Sequence, residues 1–126
     1  MHYRVTLADV LAAHDEALTY GGRGGVVNLE SIASAIGRPY SGYHRAISRK
    51  VSALLHSLAK NHGFVDGNKR TALLCTLLLI ERSGYQLILS ENERLDDIVV
   101  GVVEGKMVFD DLVAWFSAHL IAQKDT

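Results

Sequence analysis

The sequence predicts an all-α fold: one compact domain over residues 1–126, a helical bundle of about six helices around a central apolar helix. Three observations predict it. Apolar residues recur at helical spacing in several separate stretches. There is a single proline, Pro39, which favours long helices over rigid turns. Glycine, asparagine or a small hydroxyl residue stands at most breaks between stretches, where caps belong.

Taken in order, Thr6 is placed to cap the first helix, with Asp9 three residues on as half of a capping box. Leu7, Val10, Leu11, His14 and Leu18 then share a face, and Gly21-Gly22-Arg23-Gly24-Gly25 ends the helix in a flexible turn. Asn28 caps a second helix carrying Leu29, Ile32, Ala33 and Ile36, and Gly37-Arg38-Pro39 stops it. Tyr40 to Ala46 has no period and reads as loop. Ser48 is the cap expected for a third helix, which buries Val51, Leu54, Leu55 and Leu58. Asn61 to Gly67 interrupts. A fourth helix, about Asn68 to Ser83, is apolar nearly all round, the mark of a helix wrapped by others. Gly84 ends it, and Tyr85 to Leu89 suits a short extended piece. A fifth helix, about Asn92 to Glu104, aligns Leu95, Ile98, Val99 and Val102. A sixth, about Phe109 to Ala122, aligns Leu112, Val113, Phe116 and Leu120, with Trp115 expected in the core.

Composition narrows the function classes. Apolar residues make up 48% of the chain, and a chain of this length buries roughly two-thirds of its unfolded surface, so folding needs no disulfide or metal. The single cysteine, Cys75, permits no internal disulfide and reads as a small buried hydrophobe in a reducing cytoplasm. A net charge of −1 argues against a basic nucleic-acid binder. The first six residues lack a signal-peptide apolar core, and the most apolar run, Ala72 to Ile80, is about half the length of a membrane span. Neither nucleic acid nor membrane is expected as a direct partner.

Chemistry concentrates in His62-Gly63-Phe64-Val65-Asp66-Gly67-Asn68-Lys69-Arg70, between two apolar helices. His62 is a general base by its ordinary titration range. Phe64 is an anchor to the core, and Asp66 is a hard oxygen ligand suited to Mg²⁺. Gly67 permits positive φ or close ligand approach. Asn68 is the expected cap of the next helix, whose free amides make an anion site. Lys69 and Arg70 add positive charge where a polyphosphate would sit. Base, metal ligand and cationic helix start are what phosphoryl-type transfer requires. On the residues alone, Asp-Gly-Asn as a common turn and Lys-Arg as plain surface is the more ordinary reading. The run is not a P-loop, since no Gly-Lys-Ser/Thr follows a glycine run. Lys60 either reaches a phosphate or is solvated surface. His14-Asp15-Glu16 is a weak metal candidate, because adjacent residues face different ways on a helix. Arg38, Tyr43, His44 and Arg45 are either contacts for a partner or ordinary surface.

These residues resemble the Fic/Doc family in its death-on-curing (Doc) variant. The standard signature of the family is His-Pro-Phe-x-Asp/Glu-Gly-Asn-Gly-Arg-x-x-Arg. His14-Asp15, Tyr20-Gly21-Gly22, Leu29-Glu30-Ser31, Gly37-Arg38-Pro39, Val103-Glu104-Gly105 and Val113 to Phe116 extend the likeness along most of the chain. The resemblance implies the toxin half of a toxin–antitoxin pair, with ATP and Mg²⁺ as co-substrates. It implies a Phd-like antitoxin whose disordered tail folds onto the toxin and blocks the site. Standard members transfer AMP to a protein hydroxyl; Doc-type members phosphorylate a threonine of elongation factor Tu and arrest translation. On that basis His62, Asp66, Lys69 and Arg70 are the expected catalytic residues. Gly67, Asn68, Lys69 and Arg70 are the expected nucleotide contacts, and Asp66 the metal ligand.

Three departures bear on the choice. Lys69 replaces the second glycine of the standard signature, which crowds the α- and β-phosphate position. Leu73 replaces its final arginine. Gly63 replaces its proline, a change of minor expected consequence. The first two favour kinase over AMP transfer. A catalytically silent antitoxin-binding module is the alternative from another class, and intact His62, Asp66 and Arg70 speak against it. No Ser/Thr-x-x-x-Glu-Gly self-inhibition motif is present, because Val100 precedes Glu104-Gly105 where the hydroxyl would stand.

Overall fold

The computed structural model describes residues 2–123. Its elements are α1 (Leu7–Leu18), α2 (Leu29–Gly37), a 3₁₀ turn (Arg38–Tyr40), α3 (Ile47–Lys60), α4 (Asn68–Arg82), β1 (Tyr85–Leu87), α5 (Leu95–Val103), α6 (Phe109–His119) and β2 (Leu120–Ala122). The expected bundle of six helices is present, with one small ribbon added.

The first two helices start as their caps dictate. The Thr6 hydroxyl accepts from the Asp9 amide at 3.1 Å, and the Asp9 carboxylate accepts from the Thr6 amide at 2.9 Å, completing the capping box. The Tyr3 hydroxyl also donates to Asp9, at 2.6 Å. Asn28 accepts from the Ser31 amide at 3.0 Å. Elsewhere the boundaries moved. The cap of α3 is Ala46 rather than Ser48, which lies buried in the first turn and accepts at its carbonyl from the Ser52 hydroxyl. Packing of Ile47 against the core draws the helix start upstream. The start of α5 is delayed to Leu95, because Glu93 folds back to accept from the Ser90 amide and holds a turn there. The helix α6 stops at His119, and Leu120–Ala122 pairs antiparallel with Tyr85–Leu87, giving the expected extended piece a partner.

The two apolar helices α3 and α4 pack on one another at the centre. Around them lie α1 and β1 against α4, α2 and α6 against α3, and α5 against both. The more deeply wrapped is α3, since α4 leaves Leu77 exposed. One core unites all six helices, through Val10, Ile32, Leu54, Leu55, Cys75, Leu79, Val102, Leu112 and Phe116. Burial pushes the Cys75 thiol up to about 12, so it behaves as the expected inert hydrophobe. Trp115 covers the core rather than filling it: it is partly buried, stacked on His119 at 4.1 Å and set edge-on to Phe116. No described helix is long and apolar enough to cross a membrane.

Candidate active site

The loop between α3 and α4 is clamped from two sides. On one side runs the segment that follows the glycine turn. The Gly63 carbonyl accepts from the amides of Val27 and Asn28 at 2.8 and 3.2 Å, and the Val65 amide donates to the Gly25 carbonyl at 3.0 Å. Val26 and Phe64 form an antiparallel bridge. The Arg23 amide donates to the Asp66 carboxylate at 2.8 Å.

On the other side sits His14 of α1, buried at 5% exposure. Its ring lies flat on Phe64, with centroids 3.7 Å apart. Its Nε2 lies 2.8 Å from the Asp66 carbonyl oxygen. A carbonyl only accepts, so Nε2 carries the proton. The same ring lies 3.4 Å from where a Cβ on Gly67 would be. Helical spacing alone placed His14 on the buried face of α1, and nothing in the sequence links it to a loop 52 residues on. The metal reading of His14-Asp15-Glu16 fails because only His14 faces inward. Among the described residues no three His, Cys, Asp or Glu gather to hold a metal.

Within the loop from His62 to Arg70, two backbone positions take left-handed φ. Gly67 has φ 83° and serves as the backbone cap of α4. His62, at φ 47°, is the one non-glycine residue with positive φ among those described. That conformation costs a non-glycine residue of order 1–2 kcal/mol, and it turns the chain sharply where α3 ends, leaving His62 exposed. Gly63 is buried, and a Cβ there would overlap the Ile32 side chain. The glycine that replaces the signature proline is thus a packing requirement here, not a minor change.

Asn68 does not cap α4. It is the first helical residue, and its side chain turns back to the loop: Oδ1 accepts from the Phe64 amide at 3.1 Å, and Nδ2 donates to the Phe64 carbonyl at 2.9 Å. Satisfying both polar groups of the buried Phe64 backbone outweighs a cap. No side chain caps α4, so the amides of its first turn stay open. Lys69 and Arg70 project from that turn into solvent, with the Arg70 guanidinium 4.0 Å from the centre of the Tyr20 ring.

A cleft of about 310 Å³ opens at this helix start. Gly67, Asn68, Lys69, Arg70 and Leu73 form one wall, and Asp96, Val99 and Val100 of α5 the other. The Arg94 side chain holds the Asp96 carboxyl below the usual range, with its own backbone amide and Arg70 adding to the effect. The structure therefore brings together the four residues expected to contact nucleotide. His62 and Asp66 lie on the exposed loop just before, and do not line the cleft.

Open amides, two cations and a glycine suit a phosphate chain. Among the described residues only the Arg23 amide bonds to the Asp66 carboxylate, at one of its oxygens, which suits Mg²⁺ bound through one carboxylate rather than an all-protein cage.

The model of the Fic/DOC family matches residues 4–80, more than half of the chain. Toxin Doc of Mycolicibacterium smegmatis is 33% identical over 113 residues, covering 84% of this chain and 85% of that protein. Protein kinase doc of Escherichia phage P1 is 34% identical over 104 residues, covering 79% and 81%. The matched span begins before α1 and ends within α4, so it takes in His14, the clamping segment and the loop together; the chain belongs to the Fic/DOC family.

Proposed function

We propose that this chain is the toxin of a toxin–antitoxin pair, and that it transfers the γ-phosphate of ATP to a hydroxyl side chain of a translation factor like elongation factor Tu. The names of the two relatives support the toxin and kinase parts of this reading. The observation that carries the chemistry is the uncapped start of α4, with Lys69 and Arg70 on it and exposed His62 one loop away.

The steps follow from the chain's own groups. The open amides of the first turn of α4, with Lys69 and Arg70, hold the phosphates and neutralise charge that develops during transfer. The incoming hydroxyl sits beside His62, which takes its proton as oxygen attacks the γ-phosphorus and ADP leaves. Asp66 would hold Mg²⁺, which supplies charge neutralisation between the phosphates. His14 and Asn68 keep Asp66 and Phe64 in register by their bonds to the loop backbone. The cytoplasm, where ATP and translation factors are found, is the proposed location.

A separate antitoxin chain is the proposed inhibitor, its tail folding over the toxin. Within the chain, Val100 offers no hydroxyl at the rim of the cleft, and Glu104 is engaged with Lys106 at 3.4 Å. Leu73 in the cleft wall, in place of an arginine clamp, and Lys69, in place of a glycine, favour γ-phosphate over AMP transfer.

ATP labelled at either the α- or the γ-phosphate, supplied to cell lysate with the protein, tests the reading. The expected result is γ label on one protein, lost with His62→Ala. Transfer of the α label assigns AMP transfer instead. No label from either position leaves only the silent binding module.

A further inference from the structure

A second concentration of positive charge lies away from the loop, around Phe109 at the start of α6. The guanidinium groups of Arg38 and Arg49 sit 5.2 and 5.5 Å from the centre of its ring. The imidazoles of His44 and His56 lie 5.6 and 6.1 Å from it. Arg38 is fixed further by donating to the Ser57 hydroxyl at 2.8 Å. His44, expected at the surface, is 8% exposed, and its Nδ1 is buried without a hydrogen-bond partner. Its neighbours Tyr43 and Arg45 are exposed.

No described carboxylate answers this charge. Among the described residues Arg38, Arg45, Arg49 and Lys60 make no ion pair, and neither do Asp110 and Asp111, which follow Phe109. The histidines report the same imbalance. Burial first, then Arg49 and Arg38, hold His44 below its usual range; burial, then Arg38 and Lys60, do so for His56.

The cluster also has a direction. Arg49, His56 and Lys60 recur at i, i+7 and i+11 on α3, one face of the helix over about 16 Å. That stripe runs from Phe109 to the end of α3, two residues before His62.

We propose that this stripe docks an acidic segment of the protein substrate and leads its hydroxyl toward His62. The inference rests on the proposed transfer to a protein hydroxyl. A guanidinium steadied on an aromatic ring can still grip a carboxylate with two parallel bonds; among the described residues Arg49 has no side-chain hydrogen bond, and Arg38 spends one donor on Ser57. Arg38 and Arg49 at one end of the stripe and Lys60 at the other give an extended segment two charged points of attachment, with His56 between them. With a net charge of −1 the chain has no broad basic field to hold a long polyanion such as nucleic acid, and a local cluster of this size suits a short acidic peptide.

Fluorescence anisotropy with a labelled peptide of alternating glutamate and serine tests it without ATP. Wild type and His62→Ala should bind alike, and added salt should weaken both. Arg38→Gln/Arg49→Gln should bind at least ~10-fold more weakly, and the exposed-site variant Lys60→Glu should lose several-fold, which guards against a folding defect in the double variant. No binding by wild type, equal binding by both cluster variants, or tighter binding of a single-stranded oligonucleotide overturns the proposal. The unlabelled peptide should also compete with lysate protein for label from ATP. Binding without competition removes the substrate as the occupant. Binding with no transfer by wild type sinks the proposed activity while the acidic-segment site stands.

Discussion

The helices α1 and α4 begin in opposite ways. At the start of α1 side chains make the cap: Thr6 and Asp9 each accept from the other's amide, and the Tyr3 hydroxyl donates to the same carboxylate. At the start of α4 the cap residue is a glycine, and the asparagine that ought to cap is spent on the loop behind it. One end is capped by its own side chains, and the other leaves its first-turn amides uncapped beside two exposed cations. The difference separates a helix end built for stability from one able to receive an anion.

Substitutions should break that pairing apart, starting with the largest effect. His62→Ala removes the proposed base beside the open end. It should cut γ-phosphate transfer by ~10²–10⁴-fold, and the far-ultraviolet spectrum and melting temperature should stay near wild type. His14→Ala strikes the support beneath the loop rather than the helix end. Loss of its bond to Asp66 and its stack on Phe64 should cost about 2–3 kcal/mol in denaturant unfolding and lower transfer as well. Gly63→Ala should cost about 2 kcal/mol by overpacking against Ile32. Combined with Ile32→Ala it should destabilise by less than the sum of the two single changes.

The closed end predicts the mirror pattern. Thr6→Ala should cost about 1 kcal/mol of stability and leave transfer untouched, as judged by unfolding and by label transfer side by side. The smallest effect is on pH. Burial raises the Asp9 carboxyl, but hydrogen bonds from the Tyr3 hydroxyl and Thr6 outweigh it and hold it below its usual value. A depressed carboxylate stabilises the fold fully above its unfolded value and loses that contribution as pH falls through its folded one. The melting-temperature gap between wild type and Asp9→Asn should therefore be constant above about pH 5 and close as the pH approaches 3.

Much of this was legible in the chain because it is local. The spacing of Leu7, Val10 and His14, the Thr6-Asp9 pair and the Asn28 cap depend on near neighbours, and each holds. The run from His62 to Arg70 is contiguous, so its grouping of Gly67 to Arg70 at a helix start was readable too. What escaped depends on distant partners. Leu120 reads as helix until Tyr85–Leu87 offers it an edge. Asn68 reads as a cap until the buried backbone of Phe64 competes for its side chain. His14 reads as core until α1 lies against the loop, and Gly63 reads as incidental until Ile32 fills the space beside it.

Titration of ¹⁵N-labelled protein with Mg²⁺-ATP tests the contrast between the two helix ends most directly. The amide resonances of Gly67, Asn68, Lys69 and Arg70 should move as nucleotide binds, and those of Leu7, Ala8 and Asp9 should stay still. Unmoved resonances at 67–70 in the presence of saturating nucleotide, or equal movement at both helix starts, would contradict it.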